Sequence, residues 1–386
     1  MGNIAKLSDL GCSVYHDGIS RSLMGSGSFE KLIRLGVSGV TSNPVIFHDA
    51  ISSGSEYDHQ ISDGVRDGLD AESLLWDLIV QDIRLAADLL VPVYRASQHV
   101  DGYVSVEVDP ALANDAPGTL GAARALWTRV DRPNVMIKVP ATSAGISCIE
   151  GLTFAGVNLN VTVVPTVESF ESVFRAHAKG LADRLEAGLL PDVASVASLF
   201  LARIDGVVDQ ALDALPDDRT VAYADRASLK GKAGIATAKL AYQRYRSLVL
   251  APEHQAVWSA GGSPQRLLWA SVGPKDPLYP RLMYVENLVG RETVVTIPPR
   301  ILDEFEEHGS VGQLTLEEGV DGARILWDRL NALGITSEFV AKGVRSIVLP
   351  VFAQAMEQLM NLAAERKALG VLAAGTGPAG SGARGK

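Results

Sequence analysis

Val135-Met136-Ile137-Lys138-Val139 is a run of four apolar residues around one cation, closed by Pro140. A strand with one wet face alternates polar and apolar side chains; this one is apolar on both sides of its pleat. That is the pattern of a strand in a parallel sheet covered by helices. Working outward, further short β-rich runs occupy residues 13–17, 39–42, 103–108, 157–164, 193–198, 267–271 and 293–297. Stretches of helical period lie between them. In residues 72–90, behind a capping Asp70, Leu75, Ile79, Ile83, Ala86 and Leu90 recur at spacings of four and three. Eight strands alternating with helices predict a closed (β/α)8 TIM barrel. Such barrels run to about 250 residues and beyond roughly 400 with insertions. The rival, a doubly wound open sheet, would carry a glycine fingerprint. Gly25-Ser26-Gly27-Ser28-Phe29-Glu30 lacks the third glycine and follows no clear strand.

The residues in excess of a minimal barrel fall in the second-to-third connection, in helices between Ile204 and Leu250, and after Pro299. Residues 316–333 and 339–369 read as helical, and Pro350, lacking an amide donor, should kink or split the second. A Gly-, Ala- and Ser-rich end predicts a disordered tail over 373–386. The expected organisation is one barrel domain over 1–372, helical extension included, followed by that flexible tail. The extension leaves room for a homo-oligomer.

Hydrophobic residues at 47% and charged residues at 21% fit a globular chain and exclude a disordered one. A net charge of −10 excludes a nucleic-acid surface, so an anionic ligand requires a local basic pocket. Cys12 and Cys148 stand alone, which argues against disulfides or structural zinc. No uninterrupted apolar run reaches membrane-spanning length. The first residues lack a signal-peptide core, and Lys6 spoils the myristoylation pattern that Met1-Gly2-Asn3 begins. A cytoplasmic, unanchored protein is expected.

Lys138 is costly where it stands, because an ammonium buried without a partner costs several kcal/mol. One reading is an ion pair with a carboxylate on a neighbouring strand. The sharper reading is a nucleophilic amine that attacks a ketone or aldehyde and forms a Schiff base, near the strand end where barrel enzymes keep their chemistry. Asp17, Asn43, Glu107, Asn160, Thr162, Ser198 and Ser271 lie at or near other strand ends. Taken singly, these residue types cap turns or favour strands. Together they predict convergent polar groups at one mouth of the barrel. The seven histidines are scattered without an HExxH pair, no GxSxG elbow occurs, and the glycines around Gly231 lack phosphate-loop spacing. Neither a metal nor a cofactor is expected.

Five segments in order then resemble the transaldolase family: Thr41-Ser42-Asn43-Pro44, VMIKVPAT (135–142), GVNLNVT (156–162), ASLFLARID (197–205) and LLWASVGPK (267–275). The resemblance implies a Schiff-base aldolase on a (β/α)8 barrel. Such enzymes move a dihydroxyacetone unit from sedoheptulose 7-phosphate or fructose 6-phosphate to glyceraldehyde 3-phosphate or erythrose 4-phosphate, in the pentose phosphate pathway. By this resemblance Lys138 is the Schiff-base lysine and Asp17 the acid/base for the fourth-carbon hydroxyl. Glu107 and Thr162 hold a proton-relaying water. Asn43 and Asn160 bind the dihydroxyacetone hydroxyls beside Ser198, and Arg203 with Ser271 clamps phosphate. The family's second phosphate-binding arginine is missing: Val272-Gly273-Pro274 leads instead to Lys275, its substitute here. Tyr15-His16 also replaces a bulkier apolar approach to Asp17. The alternatives are a simple aldolase for fructose 6-phosphate and a non-catalytic sugar-phosphate-binding barrel.

Overall fold

The computed structural model describes residues 2–216 and 223–375. Eight strands form a closed, all-parallel barrel in chain order: β1 (Cys12–Asp17), β2 (Val37–Thr41), β3 (Tyr103–Glu107), β4 (Val135–Pro140), β5 (Leu159–Val164), β6 (Ser195–Phe200), β7 (Arg266–Ala270) and β8 (Thr293–Ile297). Each predicted run overlaps one of them. The closure follows from the sequence pattern: strands apolar on both faces leave no face for water, and joining β8 to β1 removes the free edges. Parallel order also brings every C-terminal strand end to the same mouth. Register then levels the polar residues, setting Asp17 opposite Thr41, Glu107 opposite Lys138, Lys138 opposite Asn160, and Pro140 opposite Thr162.

Inside the barrel Tyr15 is fully buried, and β2 supplies Gly39 opposite it. A Cβ at position 39 would lie 2.6 Å from the Tyr15 ring, so only glycine fits. Below that ring Asp101 accepts from the Ser13 hydroxyl at 2.8 Å and from Arg266 at 2.9 Å, plugging the opposite end with a satisfied ion pair. Both cysteines are buried and free.

Asp70 caps its helix as predicted, accepting from the Ser73 amide at 2.7 Å, and the helix runs Ala71–Ala96. In the C-terminal helix one of the two outcomes expected at Pro350, a split, does not occur. The helix spans Ser337–Gly375 with Pro350 inside it. Val344 and Val348 before the proline, and Met356 and Leu359 after it, are buried against the barrel layer, and this packing holds both halves in one run. By length and composition its stretch Ser337–Leu369 would suffice to cross a membrane. Here it lies over the helices Pro44–Ser53, Asp58–Arg66 and Ala71–Ala96. Arg366 anchors its far end on Asp58 at 2.7 Å. The helix covers the first residues of the predicted tail, and the rest, 376–386, lies outside the described residues.

Candidate active site

At the C-terminal mouth the barrel holds a cavity of about 330 Å³. Nine of the ten residues singled out from the sequence line it: Asp17, Asn43, Lys138, Asn160, Thr162, Ser198, Arg203, Ser271 and Lys275. Glu107, the tenth, is buried beside Lys138 on the next strand.

Lys138 is 5% exposed and donates to the Ser42 carbonyl at 2.8 Å and to Glu107 Oε2 at 3.2 Å. The ion pair weighed as its structural explanation is therefore present, and it sits on the cavity floor. Burial pushes the Glu107 carboxyl above its ordinary range, with the Asp17 charge adding to the rise and Lys138 opposing it. A carboxylate so placed binds a proton more readily than one in water.

Asn160 accepts from the Ser198 hydroxyl at 2.7 Å and donates to Ser105 Oγ at 3.0 Å, which fixes which way its amide points. Asn43 is the N-cap of the helix Pro44–Ser53: its Oδ1 accepts from the Ile46 amide at 3.1 Å, so its capping role is real. The Thr162 hydroxyl is buried without a hydrogen-bond partner among the described residues. The next residue, Val163, has φ of 57° where β5 and β6 slip register. A β-branched residue in the left-handed region costs roughly 1–3 kcal/mol, strain of the kind that gathers at functional sites. An orphaned hydroxyl beside such a bend is suited to hold a water or a substrate group.

Arg203 lies in the first turn of the helix Leu201–Ala214, and Lys275 follows β7. Neither has an ion pair or side-chain hydrogen bond among the described residues. Burial lowers the Lys275 pKa, nearby Arg203 lowers it further, and Asp17 opposes. Two cations that line one cavity and have no ion pair among the described residues form a ready anion site in a chain of charge −10. Ser271, at φ 54°, turns the chain after β7, and its carbonyl accepts from the Ala202 amide at 3.1 Å, tying the two halves of this site together.

Several lining residues escaped the sequence reading. Thr41 donates to Asp17 Oδ1 at 2.7 Å and also pairs with the Thr296 hydroxyl. Thr41 opens a motif already singled out, and Thr296, two residues after Val294 on β8, shares its face, so period two was the available signal for it. Val348, Val351 and Phe352 also line the cavity. They come from the C-terminal helix, and no local pattern announces which part of the barrel that helix crosses. His16 faces elsewhere: its Nδ1 pairs with the Gly18 carbonyl at 2.8 Å, and burial lowers its pKa.

A closed parallel barrel with a buried lysine–carboxylate pair at its C-terminal mouth and two further cations in the same cavity defines a barrel enzyme class. The profile described as "Transaldolase/Fructose-6-phosphate aldolase" matches residues 14–363. Transaldolase of Thiobacillus denitrificans is 41% identical over 362 residues, 93% of this chain and 99% of that protein. Transaldolase of Thermobifida fusca is 39% identical over 95% of this chain and 98% of its own length. Transaldolase of Arthrobacter sp. is 40% identical, with coverages of 94% and 98%. The chain belongs to the transaldolase/fructose-6-phosphate aldolase family of enzymes.

Proposed function

We propose that this chain is a cytoplasmic, cofactor-free transferase that moves a dihydroxyacetone unit between sugar phosphates through a Schiff base on Lys138. The observation that carries this reading is one cavity presenting both a buried amine paired with Glu107 and the cations Arg203 and Lys275, which have no ion pair among the described residues. The amine supplies covalent chemistry, and the cations select a phosphorylated substrate.

Lys138 attacks the ketose carbonyl after yielding a proton, and Glu107, 3.2 Å away with its pKa raised, is the group that receives it. The carbonyl oxygen leaves as water, held between Glu107 and the Thr162 hydroxyl. The iminium then draws electrons from the carbon–carbon bond beyond the third carbon. Asp17, oriented by Thr41, removes the proton of the fourth-carbon hydroxyl as that carbon becomes an aldehyde. The three-carbon unit stays on Lys138 as an enamine, its hydroxyls held by Asn43 and by Asn160 with Ser198, until an acceptor aldehyde takes it. Arg203, Ser271 and Lys275 bind the phosphate of either sugar. Lys275 supplies charge where the family commonly has an arginine, without the planar fork. Sedoheptulose 7-phosphate or fructose 6-phosphate as donor, and glyceraldehyde 3-phosphate or erythrose 4-phosphate as acceptor, place the reaction in the pentose phosphate pathway. That the relatives above are transaldolases favours transfer over simple aldol cleavage.

The test is incubation with fructose 6-phosphate and borohydride, followed by mass spectrometry of the peptides. The expected label is a reduced dihydroxyacetone adduct on Lys138. A label on another lysine, or none, overturns the assignment.

A further inference from the structure

Lys275 stands on irregular chain between β7 and the short helix Met283–Asn287. Its ammonium has no hydrogen bond or ion pair of its own among the described residues, and the charge of Arg203 works against it. Its place in the cavity therefore depends on what holds the backbone of residues 271–287. Apolar packing does not anchor that backbone beside it, since Leu278, three residues on, is 86% exposed.

Two tyrosine hydroxyls supply the anchor. Tyr279 donates to Asp209 Oδ2 at 2.7 Å, and Tyr284 donates to Asp205 Oδ2 at 2.6 Å. Asp205 and Asp209 are one turn apart on the helix Leu201–Ala214, whose first turn carries Arg203. The loop bearing one cation is thus bonded to the helix bearing the other. A tight turn passes the constraint back to Lys275. In it the Leu278 amide donates to Asp276 Oδ1 at 2.9 Å, and the Tyr279 amide donates to the Asp276 carbonyl at 3.2 Å.

The remaining oxygen of each carboxylate accepts from the backbone: Asp209 Oδ1 from the Gly231 amide at 3.0 Å, and Asp205 Oδ1 from the Gly234 amide at 2.9 Å. Gly231, in a segment without phosphate-loop spacing, has this use instead. Its φ is 65°, and a Cβ there would lie 2.7 Å from the Tyr279 ring, so the residue is shaped to seat that ring. Burial raises the Asp209 pKa, and the hydrogen bonds from Tyr279 and Gly231 oppose the rise, so both donors stabilise the carboxylate.

We propose that Asp209 and Tyr279 are positioning residues that hold Lys275 in the cavity with Arg203, so that a phosphate meets both cations. This rests on the reading of Arg203 and Lys275 as the phosphate site. Neither Asp209 nor Tyr279 lines the cavity, and both act through Lys275.

The experiment measures kcat and KM for fructose 6-phosphate and for fructose in the full chain, in Tyr279→Phe, in Lys275→Ala and in the double variant. Tyr279→Phe removes one hydroxyl and keeps the ring on Gly231. It should raise KM for fructose 6-phosphate about threefold with kcat unchanged, less than Lys275→Ala does, because the ammonium is displaced and not removed. Fructose should be unaffected. In the Lys275→Ala background the same substitution should change KM by less than about 1.5-fold, since the group it positions is gone. Asp209→Asn, which leaves one acceptor oxygen for two donors, should repeat this pattern. A loss shared by fructose, or one that persists undiminished in the Lys275→Ala background, makes the cluster merely structural and overturns the proposal. So does an unchanged KM in both Tyr279→Phe and Asp209→Asn while Lys275→Ala still weakens capture. If Lys275→Ala by itself leaves capture of fructose 6-phosphate intact, the phosphate reading of Lys275 fails and the positioning role falls with it.

Discussion

Replacing Arg203 with alanine tests the anion site with little structural cost, because Arg203 has no ion pair among the described residues and its loss leaves no buried carboxylate unpaired. The side chain lines the cavity beside Lys275, whose pKa it helps to lower. A hydrogen bond between charged groups is worth about 1.5–3 kcal/mol. On that scale Arg203→Ala lowers kcat/KM for fructose 6-phosphate by roughly 10- to 150-fold, at 1.4 kcal/mol per factor of ten. Fructose, without the phosphate, should lose almost nothing. A second readout follows from the pair. Lys275 sheds its charge as pH rises, and does so early because burial and Arg203 both disfavour the ammonium. With Arg203 gone the ammonium is retained to higher pH, so the alkaline fall in phosphate-dependent capture moves upward. The assay is kcat/KM for the two sugars across neutral to alkaline pH, with the thermal midpoint as a folding control. Equal losses on fructose and fructose 6-phosphate, or an alkaline fall that stays in place, refute the reasoning.

Lys275→Ala should weaken capture of the phosphorylated sugar more mildly, with a loss that shrinks as salt rises; a salt-independent loss counts against a point-charge role. Asp17→Asn should cut turnover by orders of magnitude while the borohydride-trapped adduct on Lys138 still accumulates, since Asp17 acts on bond breaking and not on capture. A variant that neither turns over nor traps sugar makes Asp17 structural. Burial lowers the His177 pKa to about 4. Between its ordinary 6.5 and about 4 the unfolded chain binds a proton that the folded chain refuses, so stability is full above 6.5 and falls with acid. The loss reaches about 3 kcal/mol at most, from 1.36 kcal/mol per pH unit. Urea midpoints from pH 4 to 7 should show this slope in the unaltered chain and a flatter one in His177→Gln; parallel curves refute it.

Where the eight strands lie was legible in local pattern, because a strand buried on both faces must be apolar at successive positions, and each run announces this within a few residues. Strand-end residues such as Asp17, Asn160 and Lys138 stood out for the same reason, being polar where their neighbours are not. The ordered motifs carried the family. What those residues do to one another belongs to the closed barrel. Register across β3 and β4 puts Glu107 against Lys138, turning a lone buried cation into a pair with a raised carboxyl pKa. The turn after β7 brings Lys275 into the cavity with Arg203, and neither has an ion pair among the described residues. Pro350 reads as a break by its own chemistry, yet packing on both sides keeps the helix whole and carries Phe352 to Lys138. Those distances depend on contacts between residues far apart in the chain. A pattern read along the backbone carries periodicity and burial, whereas charge pairing and water access are set by what folding brings alongside.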